Sequence, residues 1–254
     1  MTGIEGCSGR GGSPVRVPGV ILAAGAGSRL GRLGQRHSKP MVPVAGRPLI
    51  AWVIERLRAG GVGPVIVVRH AGDAPLAAYV RAAVPDAQLA VQRERLGIAD
   101  ALCQALPLLG GAPTYLACAC DSLFLPDDIA ALIAAGADGS AAVGVLDMGP
   151  AATRARSAVR SQGDLVVEII EKPAPGSVNT GLVAAPLYAL PRTVDSFLRA
   201  PDTRGSERYI SAALSAYARA GNVVRAVRLH ERLEVTTAAD VAALARRLSM
   251  VDPR

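Results

Sequence analysis

Val17-Pro18-Gly19-Val20-Ile21-Leu22-Ala23-Ala24, followed at once by Gly25-Ala26-Gly27-Ser28-Arg29-Leu30, decides the fold. The apolar run reads as a buried strand over Val17 to Ala24 that enters a tight loop. Glycines let backbone N–H groups come close to an anion, and a row of such groups forms a phosphate cradle. The loop is not a Walker A loop, which needs Gly-Lys-Ser/Thr, and it lacks the third glycine of the dinucleotide fingerprint. Arg29 stands at the end of the loop, and Lys39 returns ten positions later. Both could meet one triphosphate.

Lysine usage sharpens this reading. Of 28 lysines and arginines only Lys39 and Lys172 are lysine, and both stand in motifs able to hold phosphate. A compact ammonium on a flexible stem is not equivalent to a planar guanidinium fork. Retaining lysine at two places in an arginine-rich chain points to sites where a point charge is needed.

Outward from the first loop, strands and helices alternate. Helices are expected over Pro48–Leu57, Pro75–Val84, Ala99–Leu108 and Pro126–Ala135, and strands over Val65–Val68, Leu89–Gln92 and Tyr115–Cys120. Such spacing indicates parallel βαβ units in a doubly wound sheet, with ligands beyond the carboxyl ends of the strands. Gly25, Gln92 and Asp121 all fall at those ends and so on one rim. After Gly136 the pattern loosens. Strands are expected over Ala141–Leu146, Leu165–Ile170, Gly181–Ala185 and Val223–Leu229. Helices are expected over Thr193–Leu198, Glu207–Ala220 and Ala238–Leu248. The organisation that follows is a Gly/Ser-rich disordered tail over residues 1–16 and one domain over 17–254. The domain has two halves, about 17–136 and about 137–254.

Bulk properties limit the function. The chain has 254 residues, enough to bury a sizeable core, and no apolar run approaches a membrane span. The N-terminus has no apolar stretch of the signal-peptide kind. A net charge of +7 with only 3% aromatic residues argues against nucleic acid and for a small anionic substrate. No Cys-x-x-Cys is present among Cys7, Cys103, Cys118 and Cys120, so reduced, buried thiols in a cytoplasmic protein are expected.

Leu22-Ala23-Ala24-Gly25-x-Gly27-Ser28-Arg29-Leu30, continued by Lys39-Pro40-Met41-Val42-Pro43-Val44-Ala45-Gly46-Arg47-Pro48-Leu49, closely resembles the signature of the sugar-1-phosphate nucleotidylyltransferases. The resemblance covers roughly residues 18 to 245 and implies an NTP-binding half over about 17–136 and a sugar-phosphate-binding half over about 137–254. It implies a three-layer α/β fold with a doubly wound, mixed, mostly parallel sheet of the Rossmann-like nucleotide-diphospho-sugar transferase kind. It also implies an enzyme that joins an NTP to a sugar 1-phosphate with release of pyrophosphate, using Mg²⁺. Ala24, Gly25, Gly27 and Ser28 would hold the phosphates, Arg29 would lie over the leaving pyrophosphate, and Lys39 would contact the α-phosphate region. Gln92 and Gly97 match the family's base-reading pair. Asp121 takes the place of its metal-binding carboxylate, and Glu234, in Arg232-Leu233-Glu234-Val235-Thr236-Thr237, that of its second. Glu171-Lys172-Pro173 matches the Glu-Lys-Pro motif, with Glu171 toward sugar hydroxyls and Lys172 toward the sugar phosphate. Asn179 falls in a matching sugar-contact segment.

The match is incomplete. Ser157-Ala158 stands where a Tyr-Gly pair is expected, Gly181-Leu182-Val183 where Gly-Leu-Tyr is usual, and the aromatic and glycine around Glu234 are missing. Cys120-Asp121 is similar to the Cys-Asp motif of molybdenum-cofactor guanylyltransferases. These departures leave open cytidylyl or guanylyl transfer to a non-sugar phosphate such as phosphocholine, a cyclitol phosphate or a cofactor precursor. They also leave open a catalytically silent nucleotide-binding regulatory subunit. The resemblance is compatible with a homo-oligomer, involves no membrane or nucleic acid, and with this chain length leads to no expectation of an appended left-handed β-helix.

Overall fold

The computed structural model describes residues 16–200 and 207–251. The expected tail lies outside the described residues except for Arg16. The strands are β1 (Val17–Ala23), β2 (Pro43–Val44), β3 (Arg47–Pro48), β4 (Val62–His70), β5 (Gln88–Gln92), β6 (Thr114–Ala119), β7 (Ser122–Phe124), β8 (Ala141–Asp147), β9 (Ser157–Gln162), β10 (Leu165–Glu171), β11 (Leu182–Pro191), β12 (Val224–Arg228) and β13 (Arg232–Glu234). The α-helices are α1 (Arg32–Arg36), α2 (Leu49–Ala59), α3 (Ala74–Ala83), α4 (Ile98–Ala105), α5 (Pro126–Ala135), α6 (Asp195–Arg199), α7 (Ile210–Arg219) and α8 (Ala238–Val251).

Nine strands form one mixed sheet in the order β5-β4-β1-β6-β11-β8-β12-β10-β9. The first four are mutually parallel, as the βαβ reading requires. In the second half only β12 with β8 is parallel, and β11 runs antiparallel to both β6 and β8. Successive residues of β1 face opposite sides. Ile21 and Ala23 enter one apolar cluster with α2, α3, α5 and α8, while Val20 and Leu22 enter another with α4, α6 and α7. Two helical layers therefore sandwich the sheet, and the carboxyl ends of β1, β5 and β6 open on one rim.

Two local features position the site. Gly27 takes φ +64°, a conformation a side chain disfavours, and so turns the loop into a short 3₁₀ helix over Ser28–Leu30. Farther along, a two-stranded ribbon pairs Glu234 with Ser122 and Leu233 with Leu123, and the Val235 N–H donates to the Asp121 carbonyl at 2.8 Å. The ribbon carries the end of the chain back to the end of β6.

Three sequence expectations shift. β11 runs on to Pro191 rather than ending at Ala185, because a register shift between Ala184 and Tyr188 takes up Pro186. β9 was not expected, since Ser-Ala-Val-Arg-Ser-Gln has no apolar run. The helix expected from Glu207 begins at Ile210.

Candidate active site

A cavity of about 530 Å³ opens on the rim, within the usual range for a small-molecule site. Its walls include Ala24, Gly25, Gly27, Lys39, Gln92, Gly97, Asp121 and Glu171. The sequence thus picked residues from five separate segments that fold onto one hollow. Ser28, Arg29, Lys172, Asn179 and Glu234 do not line it. The first four are exposed, while Glu234 is half-buried beside the wall. Lys172 has φ +42°, an uncommon backbone conformation for a side-chain-bearing residue.

Lys39 is placed by a 3₁₀ turn over Lys39–Met41 and by Gly27, where an added Cβ would come within 3.2 Å of the Lys39 Cβ. From there Lys39 Nζ donates to Asp121 Oδ2 at 2.7 Å. The other Asp121 oxygen accepts from Ser122 Oγ at 2.9 Å. Behind Asp121 the thiol of Cys120 is pushed up to about 12, mainly by burial and then by the neighbouring carboxylate. It is a packed side chain and not a nucleophile.

On the nucleotide side, buried Gln92 donates from Nε2 to the Gly97 carbonyl at 3.0 Å and to Asp100 Oδ2 at 2.9 Å. Arg208 donates to the other Asp100 oxygen at 2.6 Å. Both amide protons of Gln92 are engaged, so Oε1 is the polar atom left to meet a base. Gly97 adopts φ +99° against the Arg208 backbone, where a Cβ would sit 2.4 Å from the Arg208 carbonyl oxygen. Arg95 reaches back to the Ala24 carbonyl at 3.4 Å, across the glycine loop.

On the opposite side, Glu171 Oε1 accepts from Ser157 Oγ at 2.8 Å and Ser211 Oγ at 2.5 Å. Tyr188 lies in the wall nearby. Burial, and then the Glu171 carboxylate, raise its phenol above the ordinary value, so it is a neutral donor. Arg156 and Arg232 also line this side. Arg156 Nη1 donates to Glu234 Oε2 at 2.8 Å, and Arg232 Nη2 lies 3.1 Å from Glu234 Oε1. Arg232 Nε donates to Ser122 Oγ at 2.9 Å. Burial lowers the Arg232 pKa, and Glu234 and then Asp121 oppose that. A guanidinium remains charged in any case.

Sequence reasoning missed Arg156, Arg232, Ser157 and Ser211. A signal existed for two of them. Ser157 stands where an aromatic was expected, and Arg232 stands where the family's second carboxylate motif has its aromatic.

Comparison with known proteins decides the family. The MobA-like NTP transferase domain matches residues 19–216. The chain belongs to that family. This membership bears out the resemblance to nucleotidylyltransferases read from the glycine loop. The bifunctional protein GlmU of Paraburkholderia phytofirmans is 32% identical over 214 residues, which cover 80% of this chain and 45% of that protein. That of Burkholderia thailandensis is 38% identical over 185 residues, covering 67% and 38%. The chain therefore spans less than half the length of these relatives. A UDP-glucose pyrophosphorylase from Acinetobacter baumannii superposes with a TM-score of 0.81 at 18% identity, over 94% of this chain and 95% of the other. An inositol-1-phosphate CTP transferase from T. maritima gives 0.76 at 18%, over 92% and 96%. These likenesses establish the α/β fold with a central mixed sheet. By family the chain carries an NTP transferase domain. No helix among the described residues is long and apolar enough to cross a membrane.

Proposed function

We propose that the chain transfers the nucleotidyl group of an NTP to the phosphate of a sugar 1-phosphate or a close analogue and releases pyrophosphate. One observation carries the reading. Lys39, read as a phosphate contact, and Asp121, read as a metal-binding carboxylate, meet at 2.7 Å on the wall of a cavity that also holds the glycine loop and Gln92.

In the reaction an acceptor phosphate oxygen attacks the α-phosphorus. The bond from that phosphorus to the bridging oxygen breaks, and the electron pair leaves on pyrophosphate. The acceptor is already ionised at neutral pH, so no general base is needed. Positioning and charge stabilisation carry the rate. The glycine loop cradles the phosphates. Lys39 exchanges Asp121 for the α-phosphate, and Arg29 at the loop exit offsets charge on the leaving group. Gln92 Oε1 accepts from the base, while Glu171, backed by two serines, accepts from a hydroxyl of the acceptor.

Asp121 fits a divalent cation such as Mg²⁺. It is a hard oxygen donor on the cavity wall, and such a cation takes one or two protein carboxylates plus substrate phosphates. When bound, the cation neutralises phosphate charge. Glu234 fits less well, because each of its oxygens already faces a guanidinium. Lys172 and Asn179 belong to this reading at the exposed rim, where they would close on the acceptor.

The test is pyrophosphate release across the common NTPs and a panel of hexose 1-phosphates, a cyclitol phosphate and phosphocholine. Release with a hexose 1-phosphate or the cyclitol phosphate supports the reading, and release with phosphocholine alone favours the non-sugar alternative. Nucleotide binding with no release for any pairing favours the silent regulatory subunit.

A further inference from the structure

We infer that Arg156 and Arg232 bind the phosphoryl group of the acceptor, and that Glu234 is the positioning residue that holds them there, not a ligand of the divalent cation. The inference rests on the transferase reading above and names the part of the cavity that receives the acceptor.

Three observations support it. Glu234 is engaged on both oxygens, by Arg156 at 2.8 Å and Arg232 at 3.1 Å, and it does not line the cavity, whereas both arginines do. A divalent cation placed on that carboxylate would have to sit beside two fixed positive charges. Second, the cluster itself holds two guanidiniums against the one carboxylate of Glu234, so one of its positive charges is not neutralised within it. Third, donors remain. Arg232 uses Nε and Nη2, and Arg156 uses Nη1, so Nη1 of Arg232 and Nη2 of Arg156 have no protein partner among the described residues. Guanidinium forks with spare N–H groups suit phosphate oxygens.

Position completes the argument. Arg232 is only 10% exposed, and its Nε reaches Ser122, the residue that donates to Asp121. A phosphoryl group on this fork therefore lies beside the carboxylate that faces Lys39, on the side opposite Gln92. Lys172, the family's expected phosphate cation, is exposed and off the cavity wall. Arg156 and Arg232 take up that work from inside.

The experiment uses the full chain. Binding of α-D-glucose 1-phosphate and of inorganic phosphate is measured by calorimetry. Mn²⁺ binding is measured separately by electron paramagnetic resonance. R156Q keeps the Arg232–Glu234 pair and removes a side chain that is a third exposed, so the fold is retained. It should weaken both phosphate ligands on the order of 10-fold or more, the usual worth of a charge-assisted hydrogen bond. E234Q should leave Mn²⁺ affinity within about twofold, because the Asp121 side of the site is untouched. In turnover it should change the acceptor KM while the NTP KM stays put. Unchanged phosphate binding in R156Q overturns the arginine assignment. A several-fold loss of Mn²⁺ affinity in E234Q, with phosphate binding intact, overturns the positioning role and returns Glu234 to the metal. Neither binding measurement requires turnover. An absence of pyrophosphate release therefore bears on the transferase reading alone.

Discussion

Lys39 and Asp121, 82 residues apart in the chain, form an ion pair of 2.7 Å whose side chains are 15% and 24% exposed. Each holds the other's charge on the rim while no phosphate is there. In the proposed reaction an arriving triphosphate would give the ammonium a better partner and leave the carboxylate free for a cation. This makes the pair a place where point charge and reach both matter.

Lys39→Arg should therefore lower kcat by roughly 10²-fold or more, the scale seen when a transition-state donor is lost. The planar fork is wider than an ammonium, and the Gly27 backbone packs against the base of the side chain. Exposed Arg81→Lys serves as control and should be silent. Steady-state kinetics decide the matter. Near-normal kcat in Lys39→Arg would remove the point-charge argument.

Asp121→Asn keeps shape and the hydrogen bond from Ser122 but removes the charge. Divalent-dependent turnover should disappear, with little change in thermal melting. A variant whose rate still rises with Mg²⁺ as in the parent would make Asp121 a structural residue only.

Gly97→Ala meets two obstacles at once. Its φ of +99° with ψ of 176° lies in a region held almost only by glycine, worth about 1–3 kcal/mol of strain. The new Cβ also meets the Arg208 backbone, which cannot swing aside as a side-chain tip can. Denaturant unfolding should show the loss, and the NTP KM should rise with it. A variant as stable as the parent would mean that the Arg208 contact is not kept in solution.

The thiols give a chemical check. Burial raises Cys118 and Cys120 well above the ordinary thiol range, and half-buried Cys103 is also raised. In a Cys7→Ser background, native protein at pH 8 should react slowly with a thiol reagent, and denatured protein should release three equivalents. Rapid native labelling of Cys118 or Cys120 would contradict the packing behind Asp121.

His230 supplies a pH dependence. Its hydrogen bond with buried Asp128, at 2.6 Å, raises the imidazole pKa above the ordinary 6.5. A raised folded-state pKa means that the stabilisation is full below the unfolded value and is lost as pH rises through the folded value. Melting temperature should fall from pH 6 toward alkaline pH, and His230→Gln should flatten that slope. An equal slope in both proteins rules the pair out as its source.

The first half of the fold was legible because its strands are apolar runs and its glycines and Asp121 fall at their ends. Pro126–Ala135 was read to the residue. The second half was harder for physical reasons. β9 is polar and amphipathic at the sheet's end, so it left no apolar signal. Pro186 reads as a strand terminator, and only the register shift seen in the sheet shows how it is absorbed. Lys39, Gln92 and Asp121 could be placed on the cavity rim from the sequence because glycine loops and strand ends mark them. The Glu171 pairing with Ser157 and Ser211, and the burial of Arg232, depend on contacts between distant segments. A lone arginine in sequence reads as a solvated charge.

Strand β11 occupies the middle of the sheet, between β6 and β8, although both of those precede it in the chain. During synthesis β6, with its Thr-Tyr-Leu-Ala-Cys-Ala sequence, leaves the ribosome long before Leu182–Pro191 can pair with it. The nascent chain therefore carries an open, apolar strand edge at what will become its centre, the kind of surface on which unfinished chains stick to one another. Strand β11 closes the sheet from within, so products truncated before residue 182 keep that edge open and should aggregate.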